Sequence, residues 1–286
     1  EFDIVKKIFQ EVDDSLNFSL SKLILNGPES DLRLTENTQP AIMTIGVSIY
    51  NVLNNEFGFN LNKSKFFAGH SLGEYTALVC AGSLKIERAA YLLKERGKEM
   101  QASVLPGEGS MIAILGMKLD EVENEISMLP HEDRCEIAND NSDLQVVVSG
   151  KKKNKEKLNN NLKEKKKKSI VLPVSAPFHC SLMKNAAINM SEKIITSSFN
   201  KPNPSIISNV TAIEESDINK IKPLLIDQIT SRVRWRESVN YMINKGVTNF
   251  LEIGPGKVLS GLIKKIDKEV KVLNINSMSD VKNDKF

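Results

Sequence analysis

Ser71 lies in the segment of this sequence that is best suited to chemistry. Residues 66–75 read FFAGHSLGEY, so a short apolar run enters a Gly-x-Ser-x-Gly turn, and an alanine-containing run that favours a helix follows over 76–81. A strand–turn–helix of this kind presents a serine hydroxyl as a nucleophile. The N–H of Leu72, at the start of the helix, would face a developing oxyanion. The alternative is a glycine-rich turn in which Ser71 only caps the helix.

A nucleophilic serine needs a base, and the sequence contains three histidines. His70 adjoins Ser71, where neighbouring side chains diverge, and we expect a structural role for it. His131 lies in a charged loop and is predicted to be exposed. His179, in the segment VSAPFHC at 174–180, is the candidate base. No acidic residue lies near His179 in the sequence, so we expect a Ser–His pair whose histidine is oriented by a backbone carbonyl.

The composition is that of an ordinary globular protein. Of the 286 residues, 41% are hydrophobic and 26% charged, and no apolar run approaches the roughly 20 residues of a membrane span. A net charge of +3 does not indicate nucleic-acid binding. Three scattered cysteines are typical of reduced thiols. We therefore expect a cytoplasmic monomer that uses no metal or cofactor and binds neither nucleic acid nor membrane.

The pattern of apolar residues predicts an α/β protein with two subdomains. Between Pro106 and residue 173, the sequence predicts strands at 111–115, 135–139, 145–149 and 169–172, with helices at 119–129 and 154–165. This β-α-β-β-α-β order is ferredoxin-like. Residues 1–105 and 174–286 form the larger subdomain, for which we predict a short, mostly parallel sheet flanked by helices. Its predicted elements are helices at 4–12, 40–50, 85–102 and 227–243, and strands at 206–209 and 250–253.

Ordered motifs extend over nearly the whole chain. They are GHSLGEY at 69–75, RGK at 96–98 with MQ at 100–101, NDNS at 139–142, QVVVSG at 145–150, PFH at 177–179, LM at 182–183, VRW at 233–235 and EIGPGKVL at 252–259. Together they resemble the malonyl-CoA:acyl carrier protein transacylases and the related acyltransferase domains of fatty acid and polyketide synthases. The full ordered set is far more specific than the serine turn alone.

The resemblance implies a ping-pong acyl transfer. Ser71 would attack the thioester of malonyl-CoA with His179 as general base, and the malonyl-serine ester would then pass its acyl group to the phosphopantetheine thiol of acyl carrier protein. Arg96 corresponds to the arginine that pairs with the free malonyl carboxylate, which a guanidinium can hold through two parallel hydrogen bonds. Without the resemblance, Arg96 would be interpreted as one exposed cation on a charged helix.

Further roles also follow from the resemblance. Leu72 would donate its backbone N–H to the oxyanion. Asn141 lies at a position where the family has a pocket-lining asparagine, although turn formation would also explain it. Phe178 resembles the bulky residue associated with selection of malonyl over methylmalonyl. Arg234 matches a position whose main-chain carbonyl orients His179.

The family begins with a buried strand that ends in a Gly-Gln-Gly turn, whose glutamine N–H is the second oxyanion donor. This sequence starts near the helix that follows, so we interpret it as N-terminally incomplete; the alternative is a weakened or inactive member. Two other functions stay open. One is a non-catalytic homologue that binds carrier protein or CoA, and the other is a thioesterase-like serine hydrolase.

A lysine-rich segment stands out in the ferredoxin-like unit. Ten lysines lie between Lys151 and Lys168, against Glu156 and Glu164. Such a run is typical of a solvated helix face. The functional alternative is electrostatic capture of an acidic acyl carrier protein or of the CoA phosphates.

Overall fold

A computed structural model describes residues 2–105, 107–174 and 176–283 of the chain. The helices are α1 (Asp3–Leu16), α2 (Leu20–Asn26), α3 (Glu29–Leu32), α4 (Thr35–Glu56), α5 (Leu72–Cys80), α6 (Ile86–Ala102), α7 (Leu119–Ser127), α8 (Lys152–Glu164), α9 (Lys184–Ile195), α10 (Ile218–Asp227), α11 (Trp235–Asn244), α12 (Val258–Ile266) and α13 (Met278–Asn283). The strands are β1 (Phe67–Ala68), β2 (Gly109–Leu115), β3 (Glu136–Ser142), β4 (Gln145–Lys151), β5 (Lys168–Val171), β6 (Ile206–Ile207), β7 (Glu214–Glu215), β8 (Asn249–Ile253) and β9 (Lys271–Ile275). Pro106, a predicted boundary residue, and Ser175, in the predicted histidine segment, lie outside the described residues, as do Glu1 and residues 284–286 of the predicted larger subdomain. Within the described ranges, none of the helices combines the length and the apolar content needed to span a lipid bilayer.

Strands β2 to β5 form an antiparallel sheet in the order β3-β4-β2-β5. With α7 between β2 and β3, and α8 between β4 and β5, this is the ferredoxin-like arrangement that the sequence predicted. Its boundaries near residues 106 and 173 stay a prediction.

The two faces of this sheet serve different purposes, because successive side chains of a strand point to opposite sides. One face packs under α7 and α8 and contains Ile112, Ile114, Val146 and Val148. The other face packs toward Phe178 and contains Met111, Ala113, Ala138 and Val147. The second face is therefore the one that meets the segment carrying His179.

Most of the lysine-rich segment forms α8, which buries Leu158 and Leu162 against the first face of the sheet. The helix consequently lies on the side of the sheet away from His179. Lys157 pairs with Asp133, and Lys165 pairs with Glu125 of α7. This placement favours the interpretation of a solvated helix face.

The larger subdomain is α/β, as predicted, but its strands form two small sheets instead of one. β1 pairs in parallel with β6, and β7 adds antiparallel to β6. β8 pairs in parallel with β9. A cavity of about 790 Å³ lies between the two sheets and is lined by residues of β1 and β8. Helices α1, α4, α5, α6, α9 and α10 supply most of the main hydrophobic core.

Two predicted helices in this subdomain had the wrong bounds. α4 begins at Thr35, so Pro40 lies inside the helix and does not start it. The helix predicted over 227–243 includes only the last residue of α10, Asp227, and most of α11, and residues 228–234 between them are not helical. The interruption has a physical cause: the Val233 N–H donates to the Ala138 carbonyl, and the Val233 carbonyl accepts the Asp140 N–H. These bonds to β3 require extended backbone at Val233.

α6 packs closely against the start of α4 because Gly97 has no side chain. A Cβ at Gly97 would lie 2.5 Å from Glu36 Cα and 2.6 Å from the Thr35 carbonyl oxygen. The close contact brings the residue before it, Arg96, next to Gln39 of α4.

Gly97→Ala is therefore expected to lower the free energy of unfolding by about 1–3 kcal/mol, since the added methyl group must push two helices apart. Urea unfolding measures this. The matched control is Gly261→Ala in α12, where a Cβ meets nothing within 4 Å. There the better helix propensity of alanine predicts no loss, or a gain of up to about 1 kcal/mol. Equal effects of the two substitutions would contradict the assigned role of Gly97.

Candidate active site

Ser71 lies in a sharp turn between β1 and α5. Its backbone has φ 53° and ψ −110°, a conformation that residues with side chains rarely adopt. Gly69 makes the turn possible, because a Cβ there would lie 2.0 Å from the Gly73 carbonyl oxygen. Ser71 is the N-cap residue of α5 but makes no side-chain capping hydrogen bond. The capping alternative for its hydroxyl is therefore wrong, and Oγ is free to face His179.

The side chain of Asn209, just after β6, stabilises this strained turn. Its Oδ1 accepts the Ser71 N–H at 2.7 Å, and its Nδ2 donates to the Gly69 carbonyl at 2.8 Å. One amide side chain thus satisfies the backbone N–H that follows His70 and the backbone carbonyl that precedes it. Since Asn209 is 1% exposed, these bonds are shielded from water.

His179 contacts the serine directly. Its Nε2 lies 2.8 Å from Ser71 Oγ, and its Nδ1 lies 2.8 Å from the Gln228 carbonyl oxygen. A carbonyl can only accept, so the proton of the neutral imidazole sits on Nδ1 and leaves Nε2 to accept the Ser71 hydroxyl proton. The preceding carbonyl, of Phe178, accepts a hydrogen bond of 2.6 Å from Ser149 of β4. The small subdomain thereby holds the histidine segment in place.

The predicted role of the Arg234 carbonyl is wrong in this structure. Arg234 is the N-cap residue of α11, and its carbonyl accepts the N–H and the Oγ–H of Ser238. Its guanidinium pairs with Glu237. The carbonyl that contacts His179 belongs to Gln228, which the sequence had placed inside a helix.

Arg96 lies beside Ser71 and is 1% exposed, in contrast to a surface cation. Its Nη2 donates to Ser71 Oγ at 3.1 Å and to Gln228 Oε1 at 2.9 Å, while its Nη1 donates to Gln39 Oε1 at 2.5 Å. All three partners are neutral. Among the described hydrogen bonds and ion pairs, none joins Arg96 to a carboxylate. A buried positive charge with neutral partners is well suited to receive an anionic group.

Burial and the charge of Arg96 together lower the pKa of His179 from its ordinary value of 6.5 to about 3. Both effects disfavour the imidazolium form. The histidine is therefore neutral, and competent to accept a proton, across the physiological pH range.

Leu72 and Phe178, two further predicted site residues, adjoin Ser71 and His179 in the sequence. The N–H groups of Gly73 and Glu74 donate to the His70 and Ser71 carbonyls, whereas the Leu72 N–H has no acceptor among the described residues. Leu72 also lines the 790 Å³ cavity. Phe178 is half-buried and packs between the main core and the inner face of the small sheet.

Asn141 is linked to the site through His70. Its Oδ1 lies 2.9 Å from His70 Nε2, and the His70 ring packs against Trp235 with centroids 5.7 Å apart. These contacts agree with the predicted structural role of His70. His131 is exposed, as predicted.

Sequence reasoning missed four residues of the site: Gln39, Glu74, Asn209 and Gln228. Glu74 is 1% exposed, and its Oε2 accepts the Gln228 side-chain N–H at 2.7 Å and the Asn209 backbone N–H at 3.1 Å. Burial raises the pKa of Glu74 to about 7. Glu74 lies within the GHSLGEY motif at 69–75, and that motif is its local signal. Gln39, Asn209 and Gln228 carry no local signal, because each acts through residues distant in sequence.

A strained serine turn, a neutral histidine and a buried arginine on an α/β fold define a class of enzyme that carries an acyl group on serine and recognises an anion beside it. The family model described as "Acyl transferase domain" matches residues 3–282. The chain belongs to this family.

The relatives and solved structures are more specific. The malonyl CoA-acyl carrier protein transacylase of Bacillus subtilis (strain 168) is 40% identical over 273 residues, which are 95% of this chain and 85% of that protein. The structure of the acyl-carrier-protein-S-malonyltransferase of Bartonella henselae is similar with a TM-score of 0.94 at 42% identity, covering 98% and 90% of the two chains. A complex of a type II PKS acyl-carrier protein with its malonyl-transacylase (PlMCAT:AntF) has the same TM-score at 35% identity, with the same coverage.

The depressed pKa of His179 predicts a pH-dependent contribution to stability. Below pH 6.5 the unfolded chain binds a proton at this histidine, whereas the folded protein does so only near pH 3. The free energy of unfolding of the parent, relative to a His179→Asn variant, should therefore fall by about 2 kcal/mol between pH 7 and pH 5. Urea unfolding at several pH values measures it. The difference between parent and variant cancels the contribution of Glu74, which changes with pH in the opposite direction.

His131→Asn, which removes an exposed histidine, is the matched control for this experiment. Its stability relative to the parent is expected to stay constant over the same pH range. A constant difference for His179→Asn as well would show that this histidine titrates alike in the folded and unfolded chains, and that burial does not lower its pKa.

Proposed function

We propose that this protein transfers a malonyl group from coenzyme A to the phosphopantetheine thiol of acyl carrier protein, through a malonyl-serine intermediate, in fatty acid synthesis. The observation that carries the proposal is the buried guanidinium of Arg96, 3.1 Å from Ser71 Oγ. An acyl group on Ser71 would be held beside a positive charge. Among acyl groups, malonyl bears a free carboxylate to meet it. The names of the relatives and of the structural neighbours support the same substrate and carrier.

In the first half-reaction, Ser71 Oγ attacks the thioester carbonyl of malonyl-CoA while its proton passes to His179 Nε2, 2.8 Å away. The Gln228 carbonyl, bonded to Nδ1–H, stabilises the imidazolium that forms. The N–H of Leu72, at the N-terminus of α5, donates to the oxyanion. Collapse of the intermediate breaks the C–S bond, and the proton on Nε2 leaves with the CoA thiolate.

The second half-reaction follows the same path in reverse. His179 accepts the proton of the carrier thiol, the thiolate attacks the ester carbonyl, and the C–O bond to Ser71 breaks as Oγ regains the proton. Each half-reaction exchanges one acyl bond for another and transfers one proton, so the proposed cycle has no redox step. The three free cysteines fit the cytoplasmic location that we propose for it.

Two residues set the acyl preference in this proposal. Arg96 pairs with the malonyl carboxylate through charge-assisted hydrogen bonds. The ring of Phe178, next to His179 in sequence, occupies space that a methyl branch on the acyl group would need. One methyl group changes transition-state binding by about 1–3 kcal/mol, so the ring discriminates only modestly.

Incubation of the full-length protein with malonyl-CoA is expected to add one malonyl group, which intact-protein mass spectrometry and peptide mapping should place on Ser71. Ser71→Ala should abolish the adduct, and Ser127→Ala, which removes an exposed serine, should keep it. Addition of holo acyl carrier protein should move the label to the carrier.

The same measurement separates the competing functions. Release of free malonate in place of transfer would indicate a hydrolase. Carrier-protein binding without any adduct on Ser71 would indicate a non-catalytic binding protein, and the proposed transfer would then be wrong.

Arg96→Lys should reduce the second-order rate of acylation by malonyl-CoA about 10- to 100-fold more than that by acetyl-CoA. The acetyl group lacks the carboxylate, and hydrogen bonds to charged groups contribute about 1.5–3 kcal/mol. Arg88→Lys on the same helix, where the arginine binds Ser197, is the matched control. Equal losses with both thioesters would rule out the assigned carboxylate contact.

A further inference from the structure

Ser71 and Glu74 form the S-x-x-E pattern of a helix-capping box, but the structure does not use it as one. In a capping box the serine hydroxyl would accept a backbone N–H of the first helical turn, and the glutamate would accept the N–H of the serine. Here Ser71 makes no side-chain cap. Its N–H donates to Asn209 Oδ1, and the Glu74 carboxylate faces Gln228 and Asn209. Neither side chain therefore makes its capping-box hydrogen bond, and both contact residues of the site instead.

Glu74 joins three segments that are far apart in sequence. Its own helix, α5, begins at the nucleophile. The Asn209 N–H that it accepts belongs to the residue whose side chain stabilises the Ser71 turn. The Gln228 amide that it accepts belongs to the residue whose carbonyl contacts His179. A buried carboxylate that only satisfied a helix end would need none of these distant partners.

The contact with Gln228 decides which way the amide of that side chain faces. Gln228 Nε2 donates to Glu74 Oε2 at 2.7 Å and to the Ser71 carbonyl at 3.0 Å, and its Oε1 accepts from Arg96 Nη2 at 2.9 Å. The nitrogen and oxygen of an amide are nearly equal in size, so hydrogen-bond partners alone select the orientation. A reversed amide would point its oxygen at two acceptors and its NH₂ at the Arg96 donors.

We propose that Glu74 is a positioning residue for malonyl selection, which acts by holding the Gln228 amide with its oxygen toward Arg96. Arg96 then lies between two amide oxygens, those of Gln39 and Gln228, with a remaining Nη2 hydrogen directed at Ser71 Oγ. Its guanidinium is thereby aimed at the place where the acyl group will be attached. The inference rests on the proposed malonyl transfer.

The role depends on an acceptor oxygen at Glu74 and is compatible with either protonation state. If the carboxyl group is protonated, the proton can reside on Oε1 and leave Oε2 to accept both N–H groups. Glu74→Gln can likewise place its amide oxygen where Oε2 lies. Glu74→Ala removes the acceptor and frees the Gln228 amide to turn.

The test is the ratio of acylation rates with malonyl-CoA and acetyl-CoA in the full-length protein. Glu74→Ala and Gln228→Leu should each lower the malonyl rate about 10- to 100-fold and the acetyl rate much less, so that the ratio falls at least fivefold. Glu74→Gln should keep the parent ratio within threefold. Glu125→Ala, which removes a buried glutamate paired with Lys165 in the small subdomain, is the matched control and should leave the ratio unchanged.

A double-mutant cycle gives the decisive comparison, because residues that act through each other have non-additive effects. The variant carrying both Glu74→Ala and Gln228→Leu should lose no more of the ratio than either single variant. Additive losses, or equal losses with both thioesters, would overturn the positioning role. If Glu74→Ala does not fold, Glu74→Gln and Gln228→Leu still decide: a Glu74→Gln variant that loses the ratio, or a Gln228→Leu variant that keeps it, would overturn the inference. A parent that forms no malonyl-enzyme would instead refute the proposed function.

Discussion

A positive charge buried beside Ser71 is the constraint on which the rest of this site depends. Arg96 is 1% exposed and donates to Ser71 Oγ, and such a charge is unfavourable in the interior unless its N–H groups are satisfied. The amide oxygens of Gln39 and Gln228 accept hydrogen bonds from Nη1 and Nη2 without neutralising the charge, whereas the buried Nε has no hydrogen-bond partner among the described residues. These two amides stabilise the charge and leave it available to an anion. It also disfavours a second positive charge nearby, which helps to keep His179 neutral.

The small subdomain contributes to the site although none of its described residues forms a hydrogen bond with Ser71 Oγ. Ser149 of β4 binds the Phe178 carbonyl, and Val233 pairs with β3 on the segment that follows Gln228. Asp140 of β3, fully buried, holds Arg236 of α11 through two hydrogen bonds of 3.0 and 2.8 Å. These contacts hold the loop that carries His179 and the segment that follows Gln228, whose carbonyl contacts His179. The small subdomain therefore contributes to the position of His179.

Much of the fold could be predicted from local sequence. The alternation of apolar residues located the strands and helices of the ferredoxin-like unit to within a few residues, because each element there buries one regular face. The helix predicted over 227–243 failed because Val233 forms backbone bonds to β3, which no local pattern records. The solvent exposure predicted for Arg96 without the resemblance was also wrong, because Gly97 allows α4 to pack closely and cover the Arg96 side chain.

The sequence by itself predicted a nucleophilic turn at Ser71, His179 as the base by elimination and, through the motif resemblance, Arg96 as the residue that binds the anion. Only the tertiary structure decided which groups orient them. Gln228, Asn209, Glu74 and Gln39 come from segments up to 157 residues from the nucleophile. Nucleophilic turns have a local geometric requirement, and glycines at fixed positions reveal it. Hydrogen-bond partners need only the right atom at the right place, so any segment that the fold brings there can supply them.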